Sequence, residues 1–168
     1  GYTGRAEHDT VAAVKATLRI PVVADGDIDS PERAAEVLRT TGADALMIGR
    51  AAQGRPWIFA EIAHYLAHGE HLRPPVTRDV QRWLTEHLSD HYSLYGEESG
   101  VRSARKHIGW AVRALPGGEA FRAVMNTLDD AATQLRAVAT FFDHLAHGHE
   151  RLPVAPAAAN QDHIALLA

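Results

Sequence analysis

The apolar positions of this chain change their period once. Early on, two short runs are continuous rather than alternating. Ile20–Ala24 is followed by Asp25-Gly26-Asp27, and Ala45–Ile48 is followed by Gly49-Arg50. Such runs predict strands buried on both faces, as in parallel sheets. The stretch between them has helical spacing. Ser30 and Pro31 offer an N-cap and a first-turn proline, and Gly42 offers a C-cap, so a helix is predicted from Pro31 to about Thr41. Gly1–Arg5 reads as a loop. His8–Arg19 carries Val11, Ala12, Val14 and Leu18 on one stripe, and Pro56–His68 reads as a further helix ending at Gly69.

Beyond Glu70–Val76, which contains Pro74-Pro75, the strand pattern is gone. Helices are predicted at Thr77–Tyr95, Val101–Leu115 and about Glu119–Met125. A fourth opens at a capping box, Thr127-Leu128-Asp129-Asp130, with a core stripe of Leu128, Leu135, Val138, Phe142 and Leu145. The tail is rich in Ala and Pro. The expected organisation is therefore α/β followed by all-α. Residues 1–69 would be the last two βα units of a TIM (β/α)8 barrel and 70–76 a linker. Residues 77–147 would be a four-helix bundle, and 148–168 a disordered tail. Two parallel strands leave edges and faces uncovered, whereas four helices can close on themselves.

Composition narrows the function classes. A net charge of −4 gives no global signature for nucleic acid, and the absence of Cys removes disulfides, zinc–thiolate sites and thiol nucleophiles. No apolar run approaches membrane-span length, and no signal peptide opens the sequence. The chain starts at Gly1, in mid-pattern, and reads as part of a longer cytoplasmic protein. The 11 His include the i,i+4 pairs His64/His68 and His87/His91, but no zinc-protease motif accompanies them and no metal is expected.

Two constellations carry candidate chemistry. The turns Asp25-Gly26-Asp27 and Gly49-Arg50 each follow a predicted parallel strand. In barrels of this kind, the loops after the last strands and a short helix grip phosphate, and glycine lets the anion approach backbone amides. An Arg at a helix start opposes the helix dipole unless an anion is present. The glycines also serve turns alone, and Asp27 equally suits a cap or an ion pair with Arg50. The second constellation is basic. Five Lys/Arg lie between Ser99 and Asn126 against one acid, Glu119. Arg102, Lys106 and Arg113 share a helix face opposite Val101, Ala104, Ile108 and Val112, with Gly109 leaving room for close approach. Such a face binds RNA phosphates or is simply solvated. Trp110 and His107, beside it, suit either RNA contact or packing.

The segments Pro21–Ile28 (PVVADGDI), Thr41–Trp57 (TGADALMIGRAAQGRPW), Val101–Trp110 (VRSARKHIGW) and Phe121–Asn126 (FRAVMN), in this order and spacing, resemble the bacterial tRNA-dihydrouridine synthases, most of all their B-type branch. The resemblance implies a flavin-dependent barrel followed by a helical tRNA-binding domain. That enzyme reduces uridine in tRNA to 5,6-dihydrouridine with NADPH through FMN. It implies that Asp25, Gly26, Asp27, Gly49 and Arg50 hold the FMN phosphate and that Arg102, Arg105, Lys106, His107 and Arg113 face tRNA. Members usually carry Asn where this chain has Asp25, and a carboxylate there would repel the phosphate unless turned away. The family's catalytic Cys, which protonates the uracil ring, belongs to an earlier barrel strand. With no Cys, this chain is expected to be inactive alone and to contribute no catalytic residue. Alternatives are a different FMN- or phosphate-binding barrel oxidoreductase and a stand-alone helical RNA-binding module.

Overall fold

Strand β1 (Val23–Asp25), helix α2 (Pro31–Thr41) and strand β2 (Ala45–Met47) form a β–α–β unit in the computed structural model, which describes residues 6–153. The strands pair in parallel, with Val23 opposite Ala45 and Asp25 opposite Met47. Local chemistry sets the limits of α2. The Ser30 hydroxyl accepts from the Arg33 amide at 3.1 Å, Pro31 begins the first turn, and Gly42 closes the last at φ 67°. Helices α1 (Asp9–Thr17) and α3 (Ile58–His68) pack against α2. The core holds Ala24, Ile28, Ala34, Val37, Ala43, Ile58 and Ile62, with Val11 and Ile48 against its edge.

The strands are shorter and less buried than their apolar runs predict. Only Ala24 of β1 is buried, while Ile20, Val23 and Met47 are exposed. With just two strands, one flank of each has no neighbour among the described residues, and a pattern suited to burial on both faces is covered on one.

The chain divides into two units, and the second starts at Pro74. It contains α4 (Thr77–Tyr95), α5 (Glu97–Val112), α6 (Gly118–Met125) and α7 (Ala131–Gly148). The apolar stripes of these helices meet in a core of Val80, Leu88, Val101, Ala104, Ile108, Val112, Met125, Val138 and Phe142. Gln134 is fully buried among them. Its Oε1 accepts from the Tyr92 hydroxyl at 2.8 Å, and its Nε2 donates to the Val101 carbonyl at 3.3 Å. Burial pushes the Tyr92 phenol up to about 12, so it remains a hydrogen-bond donor. At Gly118, an added Cβ would lie 1.9 Å from the Val112 carbonyl oxygen, so only glycine starts α6 here.

Three expectations change. Helix α5 starts at Glu97, four residues early, where Glu97 and Glu98 complement the helix dipole. The expected capping box does not form. Thr127 donates back to the Val124 carbonyl, and Asp130 alone caps α7 by accepting from the Thr133 amide at 2.7 Å. The expected irregular tail does not begin at 148. Arg151 pairs antiparallel with Val76, the Thr77 amide donates to the Glu150 carbonyl at 2.8 Å, and Leu152 is buried. Positions 154–168 of that tail, and the Gly1–Arg5 loop, lie outside the described residues.

Replacing Gln134 with Leu keeps the volume but orphans the buried Tyr92 hydroxyl and removes the side-chain donor that the Val101 carbonyl has beyond its helical bond. The expected cost is about 1–3 kcal/mol, read as a lower urea midpoint with an unchanged slope.

Candidate phosphate and nucleic-acid sites

The turn after β1 is built around Gly26 and Asp27. Gly26 sits at φ 116°, and a Cβ there would lie 2.5 Å from the Ala6 side chain. Asp27 itself has φ 48°, a region that Asp tolerates better than most residues. Its Oδ2 accepts from the Ala6 amide at 2.8 Å and its Oδ1 from Arg50 Nη2 at 2.5 Å. Of the two roles open to Asp27 in the sequence, ion pairing with Arg50 is the one observed. It joins the loops after β1 and β2.

Gly49 precedes a single 3-10 turn, Arg50–Ala52. A Cβ on Gly49 would meet nothing within 4 Å, so open space lies directly against this backbone. The Arg50 side chain is 63 % exposed and its partner Asp27 34 %, so the pair is accessible to a competing anion. Asp25, at the end of β1, is also exposed.

Two further side chains, not anticipated from sequence, support this turn. His8 Nδ1 accepts from Arg33 Nη2 at 3.0 Å, and its Nε2 lies 3.0 Å from the Gly26 carbonyl, to which it donates in that tautomer. Arg33 is half-buried and also pairs with Glu36 at 2.6 Å. Nothing local marks either residue. Arg33 reads as an ordinary solvated helix position, and its role depends on α1 bringing His8 alongside.

In the second unit, Arg102 and Lys106 on α5 and Arg113 at its C-cap are exposed, opposite the buried stripe of α5. Arg105 is directed elsewhere. Its Nη2 donates to the Leu128 carbonyl at 3.0 Å and to Asp129 at 2.8 Å, so it tethers the segment before α7. The space expected above Gly109 is taken by the Arg122 stem from α6, 3.6 Å from where a Cβ would stand. Arg122 thereby lies over α5 between Lys106 and Arg113, a placement only the packing of α6 reveals. Lys106 Nζ is 5.9 Å from the Trp110 ring centroid.

His107 faces α4. Its ring lies 5.0 Å from His87 and 5.1 Å from His91. His91 Nε2 is 2.7 Å from the Ser103 hydroxyl, which itself donates to the Ser99 carbonyl; His91 is therefore the donor. Burial first, then the positive fields of His87 and Lys106, hold His91 below the usual imidazole range. Burial, then His87, His91 and Lys106, do the same for His107. Among the described residues, no group of three or more His, Asp or Glu is placed to hold a metal ion. No described helix is long and apolar enough to cross a membrane.

The sequence model of the dihydrouridine synthase (Dus) family matches residues 1–146. The chain belongs to that family. It is similar to the tRNA-dihydrouridine synthase B of Pseudomonas aeruginosa, 57 % identical over 141 residues, which is 84 % of this chain and 42 % of that protein. The tRNA-dihydrouridine synthase B of Xanthomonas axonopodis pv. citri is 55 % identical over 147 residues, 88 % of this chain and 44 % of that protein. The corresponding Shewanella oneidensis protein is 54 % identical over 144 residues. The chain thus spans less than half the length of the curated relatives it matches.

Depressed imidazole pKa values tie the stability of the helical unit to pH. The unfolded chain binds protons on His91 and His107 below about 6.5, before the folded chain does, so stability falls as pH drops through that value. The paired carboxylates Asp130 and Asp143 have pKa values lowered from 3.8 and stay ionised throughout this window. Melting temperature should therefore fall from about pH 7.5 to about pH 5.5. A His91→Gln/His107→Gln double variant should show a smaller fall by circular dichroism.

Proposed function

We propose that this chain supplies the phosphate grip for FMN and part of the tRNA-holding surface of a tRNA-dihydrouridine synthase, with NADPH as reductant. In this reading β1 and β2 are the last two strands of the barrel, and the exposed Ile20, Val23 and Met47 meet its other strands. The observation that carries the proposal is the joining of the two Gly-containing turns through Asp27 and Arg50 beside open space at Gly49, in a chain of the Dus family.

The residues present fit a phosphate. Gly49 offers close backbone approach, and Arg50 offers a planar cation that is exposed and already oriented. A bound phosphate would compete with Asp27 for Arg50, leaving the Asp27 carboxylate to hold the Ala6 amide. Asp25 is the member of the set that opposes an anion, and its exposure lets it turn to solvent. FMN held here and reduced by NADPH would supply the hydride for the uracil ring. The chain's own residues bind and orient. Arg50 and the turn amides fix the cofactor's phosphate end, and the α5 face holds RNA phosphates. No thiol exists among the 168 residues to donate the proton that completes the reduction.

The RNA reading rests on Arg102, Lys106 and Arg113, with Arg122 added by the fold. Their charge is local in a chain that is acidic overall. Placed on one exposed face, these cations contact the backbone of a nucleic acid without reading its sequence. Family membership favours this arrangement over another phosphate-binding barrel. A helical RNA-binding module without a flavin role would leave the Asp27–Arg50 junction with a structural purpose only.

Three measurements test the proposal. The isolated chain, given unmodified tRNA, FMN and NADPH, should form no dihydrouridine, since general-acid assistance of the kind it lacks is worth roughly 10²–10⁴-fold. In a protein of full family length, Arg50→Ala should raise the FMN dissociation constant while Asp25→Asn leaves it equal or lower; flavin fluorescence reads both. A triple Arg102→Ala, Lys106→Ala, Arg113→Ala variant should bind tRNA more weakly. Its slope of log affinity on log salt should be shallower by roughly 0.7–0.9 for each phosphate that is no longer neutralised. Unchanged affinity and slope would make this face an ordinary solvated one.

A further inference from the structure

Beside the basic face, α4 and α5 enclose a cleft of about 640 Å³, a size that suits a small organic ligand. Four of its nine lining residues carry rings, His87, His91, Tyr95 and His107. His91 lies 4.6 Å from Tyr95 and 5.1 Å from His107, and His107 lies 5.0 Å from His87. Tyr95 is 57 % exposed, although it closes the last turn of α4 beside these rings. Lys106 lines the cleft from α5 and also belongs to the phosphate-facing row. Asp90 lines it from α4.

We propose that this cleft is a nucleotide subsite that takes one unpaired base of the bound RNA against the Tyr95 and His87 rings, with the adjoining phosphate on Lys106. The inference rests on the RNA reading above and specifies which part of an RNA the helical unit grips. Three features select a base over a bare anion. The rings offer flat, weakly polar surfaces of the kind on which unstacked bases pack. Asp90 repels a phosphate that enters the cleft but accepts hydrogen bonds from a base edge. The single ammonium of Lys106 joins the cleft to the basic row, where the backbone already runs. At neutral pH, the depressed basicity of His91 and His107 keeps their rings uncharged and suited to stacking. His91 donates to Ser103 and so holds its ring in place, leaving Tyr95 and His87 as the accessible surfaces.

The subsite predicts a preference for single-stranded RNA that the basic row alone does not produce. The full chain is titrated with a short single-stranded oligoribonucleotide and with an RNA duplex of equal phosphate count. The wild-type protein should bind the single strand more tightly. Tyr95→Ala and, separately, His87→Ala should weaken single-strand binding by about 5- to 150-fold, the range for losing one stacked base, and leave duplex affinity and its salt slope unchanged. Tyr95→Phe, which retains the ring, should bind as the wild type does. Both side chains are exposed, so circular dichroism should show intact helices. Equal binding of strand and duplex by the wild type, or alanine variants that retain the preference, would overturn the subsite and leave the phosphate-binding row standing. Failure of the wild type to bind either RNA would overturn both.

Discussion

The hydrogen bond from the Tyr92 hydroxyl to Gln134 governs how the helical unit is put together. Gln134 comes from α7, Tyr92 from α4, and the Val101 carbonyl that receives the Gln134 amide from α5. Three helices are thereby set in one register around a group that no solvent reaches. A buried amide without these partners would cost more than any one apolar contact gains, so sliding or rotating a helix is penalised. Closure at the ends reinforces it, because the backbone beside Thr77 pairs with residues 150–152. The cleft between α4 and α5 and the direction of the basic face both depend on that register.

The first unit works from the opposite condition. Its β–α–β core is continuous through Ala24, Val37 and Ile58, but its sheet has apolar residues open to solvent. Its strongest long-range polar contacts lie at the ends of the strands. Asp27 receives both the Ala6 amide and Arg50, and Asp44 receives both Lys15 at 2.6 Å and the Val22 amide at 2.7 Å. The first pair shapes the end where a phosphate would sit. It is exposed, so it organises the turns without contributing much stability and without locking Arg50 away from an anion.

Helix α5 divides its labour among three faces. One is sealed by Val101, Ala104, Ile108 and Val112. A second carries Arg102, Lys106 and Arg113 into solvent, with Arg122 laid across Gly109. The third presents Ser103 and His107 to the histidines of α4. Lys106 belongs to both polar faces, so its charge adds to burial and to the neighbouring histidines in lowering the basicity of His91 and His107, while its side chain stays exposed.

Much of this was legible in order and type. Ser30-Pro31 and Gly42 delimit α2 because caps act through neighbouring backbone, and the stripe on α5 declares its buried side by spacing alone. The pairing of Asp27 with Arg50 stood as one option among the charges flanking two predicted turns. The roles of Arg105, Arg122, His8 and His91 were not legible, since each is decided by a partner 12 or more residues away, on another element. Sequence periodicity says which face of a helix turns inward. It does not say what waits there, and a cation reads the same whether it meets solvent or a distant carbonyl. The sequence by itself determined the elements, their caps and their apolar faces, because those depend on contacts within a few residues. Only the tertiary structure decided which charges remain exposed and which are taken up in holding the fold, because that depends on where distant segments come to lie.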